Sequence, residues 1–253
     1  MVFKSPLLLG VSLSLNLLFI SVFSVLIIRR GGIPYIVSKL PFHQQIEQTV
    51  KIPRRRNTYQ STYHHIRKQM FEQLPNSETE IIFIGDSLTD QGEWAELLGN
   101  TNIRNRGISG DTTDGVLNRL NEITASQPQK LFLMIGANDL WNEQKPASEI
   151  AQTYRLILEK IQQQTPETQV FIQSLLPMNT IQYPISVNNS DIIAVNRHLQ
   201  NLASEFSYTY IDLHQHFTND QKQLDPLYTV DGVHLSGKGY LNWAKIVNPY
   251  VKE

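Results

Sequence analysis

The stretch Glu80-Ile81-Ile82-Phe83-Ile84-Gly85-Asp86-Ser87-Leu88-Thr89-Asp90 decides the fold. Four large apolar residues in a row leave no polar face, so the run is a strand buried on both sides rather than the alternating strand of a half-exposed sheet. Gly85 ends it, and a polar turn follows. The pattern returns in Lys130-Leu131-Phe132-Leu133-Met134-Ile135 before Gly136, in 169–176 before Pro177, and in Tyr208-Thr209-Tyr210-Ile211-Asp212. Asn102-Ile103-Arg104-Asn105 is a weaker fifth strand. Between them the apolar spacing lengthens, which predicts helices over 116–123, 147–163, 192–205 and 238–251, with Ile150, Tyr154, Ile157, Leu158 and Ile161 on one face of the second. Strands alternating with helices give an α/β fold whose largely parallel sheet is covered on both faces. In such sheets polar chemistry gathers in the loops after the carboxyl ends of the strands.

Four polar clusters stand in such loops or near the chain's end. Gly85-Asp86-Ser87-Leu88-Thr89-Asp90 follows the first strand, and a serine there can point its hydroxyl into the crevice; alone, Asp86 or Ser87 would read as a helix N-cap. Gly107-Ile108-Ser109-Gly110-Asp111-Thr112-Thr113 offers a tight backbone whose N–H groups can face an anion, but no lysine follows as in a P-loop. Gly136-Ala137-Asn138-Asp139 sets an amide after a strand. Asp231-Gly232-Val233-His234 can bring carboxylate and imidazole together. Jointly they supply a nucleophile, oxyanion donors, a base and a carboxylate to orient it, the parts needed for acyl transfer through serine.

These four blocks, in this order, resemble those of the SGNH (GDSL) hydrolases over residues 79–253. The Gly107–Thr113 block with Val116-Leu117-Asn118-Arg119-Leu120 is similar to the platelet-activating-factor acetylhydrolase catalytic subunits, and 108–112 also resembles bacterial thioesterase I/lysophospholipase enzymes. The resemblance implies a flavodoxin-like three-layer α/β/α sandwich with a five-stranded parallel sheet in the order 2-1-3-4-5. It also implies Ser87 as nucleophile, His234 as proton acceptor and donor, and Asp231 as the carboxylate that fixes the imidazole tautomer. The oxyanion donors would be the N–H groups of Ser87 and Gly110 and the Asn138 amide. The expected reaction is hydrolysis of small-molecule or lipid carboxylic esters through an acyl-enzyme, without cofactor or metal. An O-acyltransferase using the same triad and a noncatalytic binding module are the competing readings.

Other residues receive plainer readings. His214-Gln215-His216 lacks a third metal ligand by spacing, and His198 reads as a surface residue on a helix. Trp141 either lines the substrate cleft or covers a helix end. The apolar loop segments 178–185 and 224–228 are placed to reach an acyl chain, or else simply pack on the sheet.

The 253-residue chain is 41% hydrophobic and 18% charged, which excludes a mostly disordered chain, and its lack of cysteine excludes thiol catalysis and disulfides. Its net charge of −1 hides an uneven distribution: residues 29–80 hold 9 Lys+Arg against 4 Glu, and residues 81–253 hold 12 against 19 Asp+Glu. Nucleic acid is therefore not expected as a partner. Residues 6–28 carry no charge and are closed by Arg29-Arg30. A helix of that length spans roughly 34 Å at about 1.5 Å per residue, enough for a hydrocarbon core of about 30 Å. We read it as a transmembrane anchor, since a cleaved signal has a shorter apolar stretch and a small-residue site. Its flanking charges leave open which side of the membrane the domain faces. Residues 29–78 form a basic juxtamembrane neck, with a short helix over 63–74, and His64-His65 read as solvated there. The oligomeric state is open.

Overall fold

The computed structural model describes residues 61–253. The proposed anchor at 6–28 and the neck as far as residue 60 lie outside the described residues. Among the described residues no helix is long and apolar enough to cross a membrane.

Five parallel strands form one sheet in the order β2-β1-β3-β4-β5, as the resemblance implies: β1 Ile81–Gly85, β2 Ile103–Gly107, β3 Lys130–Met134, β4 Gln169–Gln173 and β5 Thr209–Ile211. The long helices are α1 Thr62–Gln73, α4 Thr113–Thr124, α6 Ala147–Gln164, α7 Asn189–Phe206 and α9 Gly237–Lys252. Four single-turn helices complete the set: α2 Ser87–Asp90, α3 Trp94–Leu97, α5 Ala137–Trp141 and α8 His214–Phe217. The sequence pattern misses these four because one turn is too short for a 3.6-residue period to register.

Register organises the core. Phe83 on β1 lies directly opposite Phe132 on β3, which lies opposite Phe171 on β4. Their rings stack at centroid separations of 4.6 and 4.5 Å, and Trp94 of α3 stacks on Phe83 at 4.6 Å. Trp243 of α9 meets Trp94 edge-on at 4.7 Å, and Tyr250 reaches Phe171. Such pairs add about 0.5–1.5 kcal/mol each beyond the area they bury. Alternation along the strands sends Ile82, Ile84, Leu131, Leu133 and Ile172 to the opposite face. There α4, α6 and α7 pack side by side with their apolar faces buried, and Tyr154 donates from its hydroxyl to the Leu133 carbonyl.

Sheet order and chain order part company at β1. The chain moves outward from β1 to β2, then returns to β3 on the other side of β1. The loops leaving β1 and β3 therefore diverge and open a crevice between their carboxyl ends. Ser87 follows β1 and Asn138 follows β3, so the topology brings both to that crevice.

Helix α1 comes from the segment read as a neck, yet it packs on the folded domain. Phe71 is buried, and the Arg67 and Arg106 guanidinium groups cover its ring at 4.5 and 4.9 Å. His64 is buried as well, against the expectation of a solvated residue. The charge-rich surroundings hid this, because a polar helix with only two buried residues has little apolar periodicity to read.

Candidate active site

Ser87 opens α2 immediately after β1, and Asp86 caps that turn by accepting the Leu88 N–H at 3.0 Å. His234 comes from the loop before α9, 147 residues along the chain, and its Nε2 lies 3.1 Å from Ser87 Oγ. Its Nδ1 lies 2.7 Å from Asp231 Oδ2. The second Asp231 oxygen accepts the backbone N–H groups of Val233 and His234 at 2.9 and 2.7 Å, so the Asp-x-x-His spacing closes a turn on itself. Thr229 braces this turn by accepting the Gly232 N–H and donating to the His234 carbonyl, each at 2.8 Å. Burial pushes the Asp231 carboxyl up, but hydrogen bonds from the His234 ring and the two backbone N–H groups outweigh it and hold the group below the ordinary value. Asp231 is therefore ionised and oriented at neutral pH, although its side chain is 51% exposed.

Across the cleft, Asn138 starts the turn that follows β3. Its Nδ2 donates to the Asp111 carbonyl at 2.9 Å, and its Oδ1 accepts from Asn142 Nδ2 at 2.8 Å. These bonds fix which way the amide faces, and the second Nδ2 hydrogen is left over for another acceptor. Gly110 sits beside it with φ +83°, a conformation a side chain would strain. Ser109, which precedes Gly110, is held by Asp90 Oδ2, which accepts its N–H at 3.0 Å and its hydroxyl at 2.6 Å.

Ser87, His234, Gly110 and Asn138 all line one cleft of about 320 Å³, together with Trp141 and Met178. Of the two readings for Trp141, the cleft is therefore the one that holds. The apolar loop segments behave differently. Only Met178 reaches the cleft, Leu224 is buried in the core, and Ile181 and Leu227 face solvent. Tyr183 and Ile185 lie over Gly232, where an added Cβ would come within 2.6 Å of the Tyr183 ring. The segments pack on the Asp231 loop because Gly232 lets them approach it.

Sequence reasoning missed two supports of the site. Asp139 is fully buried, and it accepts from the Thr113 N–H and hydroxyl and pairs with Lys145 at 3.0 Å, joining the loops after β2 and β3. Arg119 is buried on α4 and donates to Asp111, Glu122 and the Arg106 carbonyl at 2.7 to 2.8 Å. Its position inside Val116-Leu117-Asn118-Arg119-Leu120 was visible, but no spacing rule points a helical arginine inward. Among the described residues no group of three or more His, Asp or Glu side chains is arranged to hold a metal ion.

A doubly covered parallel sheet with serine, imidazole and carboxylate in line at its switch crevice defines a three-layer α/β sandwich with a candidate hydrolase site. Residues 83–241 match the model of the GDSL-like Lipase/Acylhydrolase family, and the chain belongs to that family and is a carboxylic ester hydrolase. It is similar to platelet-activating factor acetylhydrolase IB subunit alpha2 of Rattus norvegicus, at 30% identity over 181 residues that cover 69% of this chain and 75% of the rat chain. The human protein of that name gives the same identity and coverage. Among solved structures, a Streptococcus pneumonia protein provisionally described as a platelet activating factor aligns at 27% identity and a TM-score of 0.68, covering 82% of this chain and 97% of that one. A GDSL-like lipase of Bacteroides thetaiotaomicron, 21% identical, shares the fold with a TM-score of 0.65 over 76% of this chain and 97% of its own.

Proposed function

We propose that the protein is a membrane-tethered serine esterase that cleaves short-chain carboxylic esters through an acyl-enzyme, with Ser87 as nucleophile. The observation that carries this reading is the unbroken line Ser87 Oγ, His234 Nε2, His234 Nδ1, Asp231 Oδ2, with steps of 3.1 and 2.7 Å. His234 takes the proton of Ser87 as its oxygen attacks the ester carbonyl, and Asp231 stabilises the imidazolium that forms. The carbonyl oxygen becomes an oxyanion, met by the N–H groups of Ser87 and Gly110 and the free Asn138 amide hydrogen. The alkoxide leaves with the proton from His234, and water repeats the sequence to release the acid.

A short acyl group is supported by the cleft of about 320 Å³, to which the apolar segments 178–185 and 224–228 contribute only Met178, and by acetylhydrolase relatives at 30% identity. Tethering is supported by the uncharged segment 6–28 and by the apolar residues Ile66 and Met70 of α1 and Leu74 just after it, which are exposed. A fluorophosphonate probe tests the nucleophile. It is expected to label the wild-type chain and to leave Ser87→Ala unlabelled, with hydrolysis of p-nitrophenyl acetate falling below about 1% of wild type. Labelling of Ser87→Ala, or retained activity, would assign the nucleophile elsewhere. Acyl transfer to an added sugar or alcohol at the expense of hydrolysis would identify an acyltransferase instead.

A further inference from the structure

Helix α1 lies outside residues 83–241, yet its side chains bind Asp111, which follows Gly110, and Asp90, which holds Ser109 before it. His64 is 5% exposed, and its Nε2 lies 3.1 Å from Asp111 Oδ1. That carboxylate also accepts from the Thr112 N–H and Arg119 Nε, and the Asp111 peptide carbonyl accepts from the Asn138 amide at 2.9 Å. At the start of the same helix, the Tyr63 hydroxyl donates to Asp90 Oδ2 at 2.8 Å, and Arg67 pairs with Asp90 Oδ1 at 3.5 Å. Asp90 Oδ2 is the oxygen that holds Ser109 by its N–H and hydroxyl. The peptides on either side of Gly110 are thus each tied to one helix.

We propose that α1 is a clamp on the oxyanion loop, and that His64 is a positioning residue that sets the Asp111 carbonyl and through it the Asn138 amide. The inference rests on the oxyanion assignment made above. Packing α1 against the domain could stabilise the fold alone; the clamp predicts in addition that His64 acts on the transition state through Asn138. Catalysis is sensitive to such placement because a donor works only within hydrogen-bond reach of the developing charge.

A double-mutant cycle on the full chain in detergent separates the two roles. The rate of p-nitrophenyl acetate hydrolysis is expressed per active site titrated with fluorophosphonate. His64→Leu fills the space but removes the donor, and it is expected to lower kcat about tenfold with KM changed less than about twofold. In an Asn138→Ala background the same substitution should cost less than about threefold, because the group it orients is gone. His64→Gln keeps an N–H donor within reach and should stay within about threefold of wild type. Equal losses in both backgrounds, or a change confined to KM or to thermal stability, would overturn the clamp. Should His64→Leu fail to fold, Tyr63→Phe probes the other arm, since its ring is 44% exposed and only the bond to Asp90 is lost. It is expected to lower kcat about threefold at unchanged Tm, and an unchanged kcat would refute the clamp. If Asn138→Ala alone leaves kcat intact, the oxyanion assignment fails and the clamp with it. If Asn138→Ala is costly but the cycle is additive, the clamp alone fails.

Discussion

At the scale of single residues, Asn138, His234 and Asp231 are each held by more than one bond, and the cost of removing a group follows from what it does. Asn138 has both amide ends fixed, so Asn138→Ala should lower kcat by about 10²–10³ with a smaller change in KM, the usual cost of one oxyanion donor. A pure KM effect would make it a substrate-binding residue. Asp86 shows a different effect. Burial pushes its carboxyl up to about 7, against the Leu88 N–H that favours the charged form, with nearby Asp111 raising it further and His234 opposing. Between pH about 4 and about 7 the folded chain therefore holds a proton that the unfolded chain has released. The stability this contributes is complete below about pH 4 and is lost as pH rises through about 7. Asp86→Asn keeps the shape and removes the titration. Relative to wild type it should gain stability at pH 8 over pH 5, by on the order of a few kcal/mol in urea unfolding. Parallel pH profiles for the two proteins would show that Asp86 is ionised throughout.

At the scale of elements, buried charge joins what the chain order separates. Arg119 of α4 is 1% exposed and binds Asp111 in the oxyanion loop, Glu122 one turn on, and the Arg106 carbonyl at the end of β2. Burial pushes the Glu122 carboxyl up, and Arg119 pulls it back. Arg119→Met keeps much of the volume but takes the guanidinium away from two buried carboxylates, leaving Asp111 only His64 and the Thr112 N–H. It should destabilise the fold by about 3–5 kcal/mol, read from the urea midpoint at unchanged slope. A loss under about 1 kcal/mol would mean that water or His64 compensates Asp111. The converse role falls to the Asp231 turn, which is braced almost wholly by its own backbone and by Thr229. From outside the turn the Asn179 N–H donates to the Gly232 carbonyl at 2.8 Å and the Tyr183 and Ile185 side chains lie over Gly232, and the dyad stands at the rim of the cleft.

For the whole molecule, every proposed catalytic residue lies between Ser87 and His234, and α1 supports them from residue 62 onward. Removing residues 1–28 should therefore leave a chain that is active on soluble esters and no longer sediments with membranes. Continued pelleting in high salt would point to another apolar surface, with the exposed side of α1 the first to test. Because only Met178 of the two apolar segments reaches the cleft, added acyl carbons gain little of the about 0.8 kcal/mol available per buried CH₂. The ratio kcat/KM for p-nitrophenyl esters is expected to be highest at acetate or propionate and to have fallen by hexanoate. A maximum at hexanoate would reveal an acyl groove that opens with substrate.

The strands and long helices were legible because their signal is local. Ile81-Ile82-Phe83-Ile84 is apolar throughout whatever surrounds it, and Ile150, Tyr154, Ile157, Leu158 and Ile161 recur at the period of a helix. The four polar blocks were legible too, since each follows a strand or a turn that the same patterning predicts, and their order carries the family. Tertiary structure alone decided what depends on positions far apart in the chain. The sequence places Ser87 and His234 147 residues apart, and only packing α9 on the sheet brings them within 3.1 Å. His64 sits in a polar stretch that promises exposure and Arg119 is itself charged, yet both are buried against Asp111, which another segment supplies. For Tyr183 and Ile185 the sequence left open an acyl pocket or packing on the sheet, and the structure makes them a cover for Gly232. Periodicity records which face of an element avoids water, but it holds no information on which partner covers that face. A polar side chain carries still less, because its place is set by a few directional bonds to distant groups.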